Sequence, residues 1–417
     1  QAYMKRWNRK SELLADAAER ASVTAMWLKA AQYPSERLYR AWDLVLGSQM
    51  HDMLPGTSIP KAYEFCWNDY LVAQNQFAGI ETNAIAAVAA SLDTRATGIP
   101  LVVYNPTSYA RRDVVLARLP QRSGQGAYVV TGPDGTVHPT QVLRKIGSDV
   151  ELEFLASSPS MGFSTWDARW VQSADLGASA LKHKVYELEN QRLRVKINVA
   201  GDLSSVFDKV LGKELLKRPA RLEFQYHNPS AYPAWNMDWD DAKLPPDGVV
   251  EGPAEVTIAE DGPVSVAVTV TRRSRGSRFM QTYRLIDGDD RLVVDNEIDW
   301  QTKEHALKAS FPLTCAAPKA TYELQVGTIE RGVNDPKKYE VPQHRWLDQT
   351  ATDGSYGVAI LNDGKYGSDK PTEDTVRLTL LYTPGVRSGF ADQATQDFGR
   401  HHFTYALAPH AGDWRGT

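Results

Sequence analysis

Gln49-Met50-His51-Asp52-Met53-Leu54-Pro55-Gly56-Thr57-Ser58 ends one helical pattern and prepares the next. Leu38, Trp42, Val45 and Gln49, just upstream, recur at the three- and four-residue steps of one helix face. Pro55-Gly56 cannot continue that helix. Ser58 then reads as the cap of a following helix, with Pro60 in its first turn. A His and an Asp therefore sit side by side at a helix C-terminus, where the backbone's partial negative charge favours a cation.

Working outward, Leu14, Ala17, Ala18, Ala21, Ala25 and Leu28 predict an earlier helix over roughly 11–31. Pro34 interrupts it, and Ser35 with Glu36 predicts the cap and first turn of the second helix. Tyr63, Cys66, Trp67, Tyr70 and Leu71 predict the apolar face of a third, reaching about Ala90. Three helices with short connections predict an antiparallel bundle.

The pattern changes near residue 98. Leu101-Val102-Val103-Tyr104 runs into Asn105-Pro106, and Arg112 to Leu119 runs into Pro120. Tyr128-Val129-Val130 meets the hairpin turn Gly132-Pro133-Asp134-Gly135. Arg192 to Ile197 alternates strictly and turns through Gly201-Asp202 into Leu203 to Phe207. Val264–Thr271, Phe279–Leu285, Arg291–Asp299, Gly357–Leu361 and Val376–Leu381 continue the series. The expected class is α+β multidomain, a three-helix bundle followed by antiparallel β-sandwich domains. The expected domains are 1–98, helical; 99–178, a small sandwich; and 179–417, a large sandwich truncated at its C-terminus. The second boundary is placed near Ser173–Ala180, where alternation is lost.

At 417 residues the chain is too long for one core. A formal net charge of −4 leaves no footprint for nucleic acid or an anionic membrane. No run approaches the roughly 18 apolar residues of a membrane span, and Gln1-Ala2-Tyr3-Met4-Lys5-Arg6 has no signal-peptide core. Cys66 and Cys315 read as buried reduced thiols, which leans to a cytoplasmic protein. The 11 Trp and 18 Tyr suit a sugar-binding cleft or simply a large β-rich core. No phosphate-binding Gly loop, Cys-x-x-Cys or serine nucleophile turn is present.

Three constellations remain. Imidazole is a common zinc ligand, and a carboxylate beside it can bind substrate or tune the site. On residue types alone, the favoured reading is that His51 bonds a nearby carbonyl and Asp52 caps the next turn. Trp235-Asn236-Met237-Asp238-Trp239-Asp240-Asp241, read as a strand, puts Trp235, Met237 and Trp239 on one face and Asn236, Asp238 and Asp240 on the other. That face pair fits a sugar platform with acceptors, Trp235 and Asp238 foremost, or an amphipathic strand with a solvated acidic side. His401 and His402 point to opposite faces of a strand and cannot share an ion; they and His410 read as ordinary sheet and loop residues. Arg345 is expected to pair with a carboxylate such as Asp348.

The string His51-Asp52-Met53-Leu54-Pro55-Gly56-Thr57-Ser58, following Ala41-Trp42 and preceding Lys61-Ala62-Tyr63-Glu64, resembles the middle domain of glycoside hydrolase family 38, zinc-using retaining α-mannosidases. Leu188 to Val195 with Gly201-Asp202-Leu203 and Asp208-Lys209 resembles the opening of that family's C-terminal β-domain. Ala234 to Asp240, Leu307 to Pro312, His344 to Asp348, Gly364-Lys365-Tyr366-Gly367, Phe403 to Leu407 and Pro409 to Trp414 resemble its bacterial branch. The resemblance implies that His51 is one zinc ligand and that Asp52 meets the hydroxyls of a bound mannoside. It also implies that the Asp nucleophile and the other zinc ligands lie on a preceding α/β domain, so no catalytic nucleophile is expected within 1–417. A retaining glycosidase needs two carboxyl groups about 5 Å apart, and this chain alone is expected to be inactive. Oligomeric state is open, a homo-oligomer included. The rival expectation is a non-catalytic carbohydrate-binding or scaffolding subunit.

Overall fold

The computed structural model describes residues 2–172 and 179–416. Three helices open it: α1 (Ala2–Trp27), α2 (Ser35–Ser48) and α3 (Pro60–Ser91). They share a core of Met4, Ala15 and Ala18 from α1, Leu38, Ala41 and Val45 from α2, and Cys66, Tyr70, Ala73, Phe77 and Ile80 from α3. Near the start of α1, Tyr70 donates to Asn8 and Gln74 to Ser11, while Ala21 and Ala25 meet Ala84 and Val88 further on. α1 and α3 are therefore parallel. α2 runs back against them, with Trp42 Nε1 donating to Glu19 at 2.7 Å and Gln49 to Asn8 at 2.9 Å.

Several sequence expectations shift here. α1 begins at Ala2, not near residue 11, and ends at Trp27. Its first turns bury Arg6, Asn8 and Ser11, which a hydrophobic count passes over. Each is satisfied at long range, for example Arg6 by an ion pair to Asp363 at 2.9 Å. The helix caps are Pro34 and Ile59, with no side-chain cap bond, rather than Ser35 and Ser58. Trp67 and Leu71 are exposed; the buried face of α3 continues instead through Ala73, Phe77, Ile80, Ala84 and Val88.

After α3 the described chain is antiparallel sheet apart from short helical turns. Strands Ile99–Asn105, Gly162–Val171, Ala127–Thr131 and Val137–Pro139 form one sheet, and Arg111–Pro120, Asp149–Ser158 and Gln141–Ile146 another. The two close on Leu119, Tyr128, Val130, Leu152, Phe154 and Trp166. The expected boundary near Ser173–Ala180 falls mostly on 173–178, outside the described residues.

Beyond it, sheets of five, six and nine strands among the described residues surround one large core, with Trp300, Phe224, Phe279 and Phe403 at its centre. The nine-stranded sheet is centred on Leu292–Trp300, Gly399–Ala411 and Tyr356–Asn362. Cys66 and Cys315 are free and buried. The helices sit on this β-body through the start of α1: Arg9 donates to the Tyr366 hydroxyl at 3.1 Å, and Tyr3 stacks on His401 at 4.9 Å. At Gly364 (φ +117°) a Cβ would lie 3.1 Å from the Arg6 backbone, so only glycine suits this contact.

Candidate functional site

His51 and Asp52 stand in the tight loop after α2. Met53 and Leu54 donate to the Met50 carbonyl, and Gly56 at φ +95° reverses the chain. Asp52 is the anchored member. Its carbonyl accepts the Thr57 N–H at 3.0 Å and the Tyr63 hydroxyl at 3.3 Å, and its carboxylate accepts the Thr57 hydroxyl at 3.1 Å. Tyr63 also accepts the Ser58 N–H at 2.9 Å. Burial pushes the Tyr63 hydroxyl's pKa up, which keeps it a donor. Lys5, from α1, holds the Pro55 carbonyl at 3.1 Å; burial lowers its amine to about 8.

His51 is held much less. Its side chain is 86% exposed, and the polar contact it makes is Nε2 to Asp52 Oδ2 at 3.2 Å. It bonds no backbone carbonyl among the described hydrogen bonds, whereas Asp52 does hold the turn that follows through Thr57, so the structural alternative finds its contacts at Asp52 and not at His51. Among the described residues no group of three or more His, Cys, Asp or Glu side chains comes together to hold a metal ion. An outward imidazole that the fold does not use fits a metal whose other ligands come from elsewhere.

The second candidate, Trp235–Asp241, is a loop and a helical turn rather than a strand. Tyr232 has φ +49°, and the N–H groups of Trp235 and Asn236 both return to its carbonyl. Those two N–H groups are thus spent within the turn rather than on a neighbouring strand. Trp239–Ala242 follows as a helical turn. Its carboxylates serve the loop: Asp238 accepts the Ser230 N–H, Asp241 the Asn228 N–H, and Asp240 pairs with Lys243. Trp239 packs on Tyr339, whereas Trp235 is 67% exposed. Two tyrosines brace the loop from below, Tyr382 at the Asn236 carbonyl (3.0 Å) and Tyr339 at the Met237 carbonyl (2.5 Å).

These two loops approach one recess. A cavity of about 140 Å³ lies between Gly56, Tyr63 and Trp67 on the helical side and Pro233, Ala234 and Tyr382 on the β side. An adjoining cavity of about 280 Å³ is lined by Lys5, Met237, Glu340, Lys365 and Tyr382. His51, Asp52, Trp235 and Asp238 flank the recess without lining it. No pattern in the sequence pointed to Tyr382 or Lys5. Thr57 and Tyr63 stood within the quoted strings, but their grip on Asp52 depends on loop geometry.

The remaining candidates are structural. His401 is buried and bonds the Asp397 carbonyl at 2.7 Å, while His402 faces out. His410 pairs with Asp348 at 2.6 Å. Arg345 therefore does not pair with Asp348; its partner is Glu323.

Comparison with known proteins bears on both halves. Residues 1–88 match the family described as the alpha mannosidase middle domain, and residues 188–386 match the glycosyl hydrolases family 38 C-terminal domain. The chain is 28% identical to alpha-mannosidase 2C1 of Mus musculus and, equally, of Homo sapiens, over 99% of its own length. It spans 38% of the length of those relatives. A solved alpha-mannosidase from Enterococcus faecalis V583 shares the fold, with a TM-score of 0.81 at 18% identity over 99% of this chain and 55% of that one.

Proposed function

Because the chain belongs to glycoside hydrolase family 38, carrying its middle and C-terminal domains, we propose that it is part of a zinc-dependent retaining α-mannosidase acting on terminal α-linked mannose. The observation that carries this is the recess between the two matched regions, with the His51–Asp52 loop on one rim and the Trp235 loop on the other. In this reading His51 offers a neutral imidazole nitrogen to zinc. Asp52, fixed by Thr57 and Tyr63, accepts hydrogen bonds from the hydroxyls of the sugar. Trp235 offers an exposed aromatic face to the apolar side of a pyranose; Asp238 serves mainly by holding the loop. Bound zinc supplies Lewis-acid charge at the sugar hydroxyls.

The nucleophile and acid/base carboxylates belong, in this reading, to a further α/β domain of the longer protein. Exposed apolar side chains on the helices, including Trp27, Tyr39, Leu46, Ile59 and Phe65, support a docking face for it. The test compares this chain with the longer protein on an aryl α-mannoside, with and without a chelator. The expected result is chelator-sensitive turnover by the longer protein and none by residues 1–417 alone. Turnover by the chain alone overturns the division of labour. Mannoside binding without turnover in the longer protein favours a carbohydrate-binding subunit.

A further inference from the structure

The joint between the small sandwich and the large β-body holds a hydrogen-bond arrangement that cannot be completed without an extra proton. Glu153, on Asp149–Ser158, is fully buried, as is Ser265 at the start of Ser265–Ser274 on the opposite side. The Ser265 hydroxyl oxygen lies 2.5 Å from Glu153 Oε1, 2.7 Å from Glu260 Oε2 and 3.1 Å from Gln141 Nε2. The Gln141 amide has a fixed orientation, because its Oε1 accepts the N–H groups of Val264 (3.1 Å) and Ser265 (3.0 Å). Its Nε2 therefore donates to Ser265 and occupies one lone pair. A hydroxyl has one hydrogen and a second lone pair left. That hydrogen reaches one carboxylate only, so the other must bring a hydrogen of its own.

The surroundings say which one. Glu260 is ion-paired with Arg284, while among the described residues no cation is bonded to Glu153, and its Oε2 is buried without a hydrogen-bond partner there. We infer that Glu153 is a carboxylic acid in the folded protein and that its proton locks the joint, in the chain Glu153 to Ser265 to Glu260 to Arg284. Gln141 stands beside Glu153 in its own sheet, as does the apolar Leu116 on the other flank, and the groups facing it across the joint are Ser265, Glu260 and Arg284. Burial, and then the Glu260 charge, raise the Glu153 pKa against the lowering pull of Ser265 and Arg284. The rest of the contact is a small apolar cluster of Val114, Leu155, Val264 and Ile286, with Arg112 donating to Asp287 at its edge. Loss of the proton would leave two anions competing for one hydrogen inside this cluster.

The folded state binds this proton more tightly than the unfolded chain does. The stability it contributes is therefore complete below the ordinary glutamate range and is lost as pH rises through the raised folded value. The test is hydrogen exchange at the Val264 and Ser265 amides across a pH series, corrected for intrinsic rates. Protection should fall as pH rises through the raised folded value, and Glu153→Gln, which keeps a donor without a charge, should abolish that fall. The same pH dependence in Glu153→Gln overturns the inference. Should that variant fold poorly, infrared spectra of the unmodified protein decide. A protonated-carboxyl band persisting above the ordinary glutamate range supports the lock, and its absence there refutes it.

Discussion

Two His–Asp pairs with the same chemistry sit in opposite settings. His410 and Asp348 meet at 2.6 Å inside the nine-stranded sheet, their side chains 4% and 1% exposed. His51 and Asp52 meet at 3.2 Å in a loop, 86% and 35% exposed. The buried pair joins Gly399–Ala411 to Trp346–Thr350 from across Tyr356–Asn362, and the packing is close enough that a Cβ at Gly357 would lie 2.5 Å from the His410 ring. Its Nε2–carboxylate contact is supplied wholly by the fold, while His410 Nδ1 is buried with no hydrogen-bond partner among the described residues. The loop pair anchors only its Asp and leaves the imidazole facing out. A motif alone does not separate a structural pair from a ligand-binding one; what separates them is how far the fold uses each group.

The largest effect expected from this contrast is at the buried pair. Asp348→Ala removes the charge opposite His410 and the acceptor that the Thr350 hydroxyl uses at 2.6 Å. Breaking one side of a buried pair costs about 3–5 kcal/mol, which urea unfolding followed by tryptophan fluorescence would register. A loss under about 1 kcal/mol would mean that the two settings do not differ energetically. A smaller effect is expected from pH. Burial alone would lower the His410 pKa, but the hydrogen bond and charge of Asp348 raise it overall. The stabilisation is then full below the ordinary imidazole range and lost as pH rises through the raised folded value. His410→Gln should remove that part of the stability–pH slope, and a slope unchanged in the variant would show that His410 does not titrate with folding.

Most of the regular structure was legible because short-range patterning specifies it. The alternation of Arg192–Ile197, Phe279–Leu285 and Arg291–Asp299 falls within or one residue outside the strands Leu193–Ile197, Ser277–Ile286 and Leu292–Trp300. The turns at Gly135, Gly201 and Gly288 all need the positive φ that glycine tolerates. What failed depends on distant partners. The start of α1 is polar, yet buried, because Asp363 and Gln74 wait for it hundreds or tens of residues away. Trp235–Asp241 alternates like a strand, but the turn at Tyr232 and the braces Tyr339 and Tyr382 make it a loop. The His51 string was legible as a string. That Thr57 and Tyr63 hold Asp52, while the polar contact of His51 is with Asp52 itself, could be read only from the folded structure.

The smallest stability effect is expected at His51, and there it carries the most information. His51→Ala removes an exposed ring with no backbone hydrogen bond, so the cost should stay within about 0.5 kcal/mol, as for other surface substitutions away from special features. Loss of the Asp52 contact adds little, since an exposed pair contributes about 0–1 kcal/mol. If the proposed function holds, the same variant of the longer protein should lose most of its bound zinc, measured by elemental analysis after dialysis, while melting normally. Stoichiometric zinc in the variant would remove His51 from the ligand set. A large loss of stability without loss of zinc would place this pair with His410 and Asp348, as part of the scaffold.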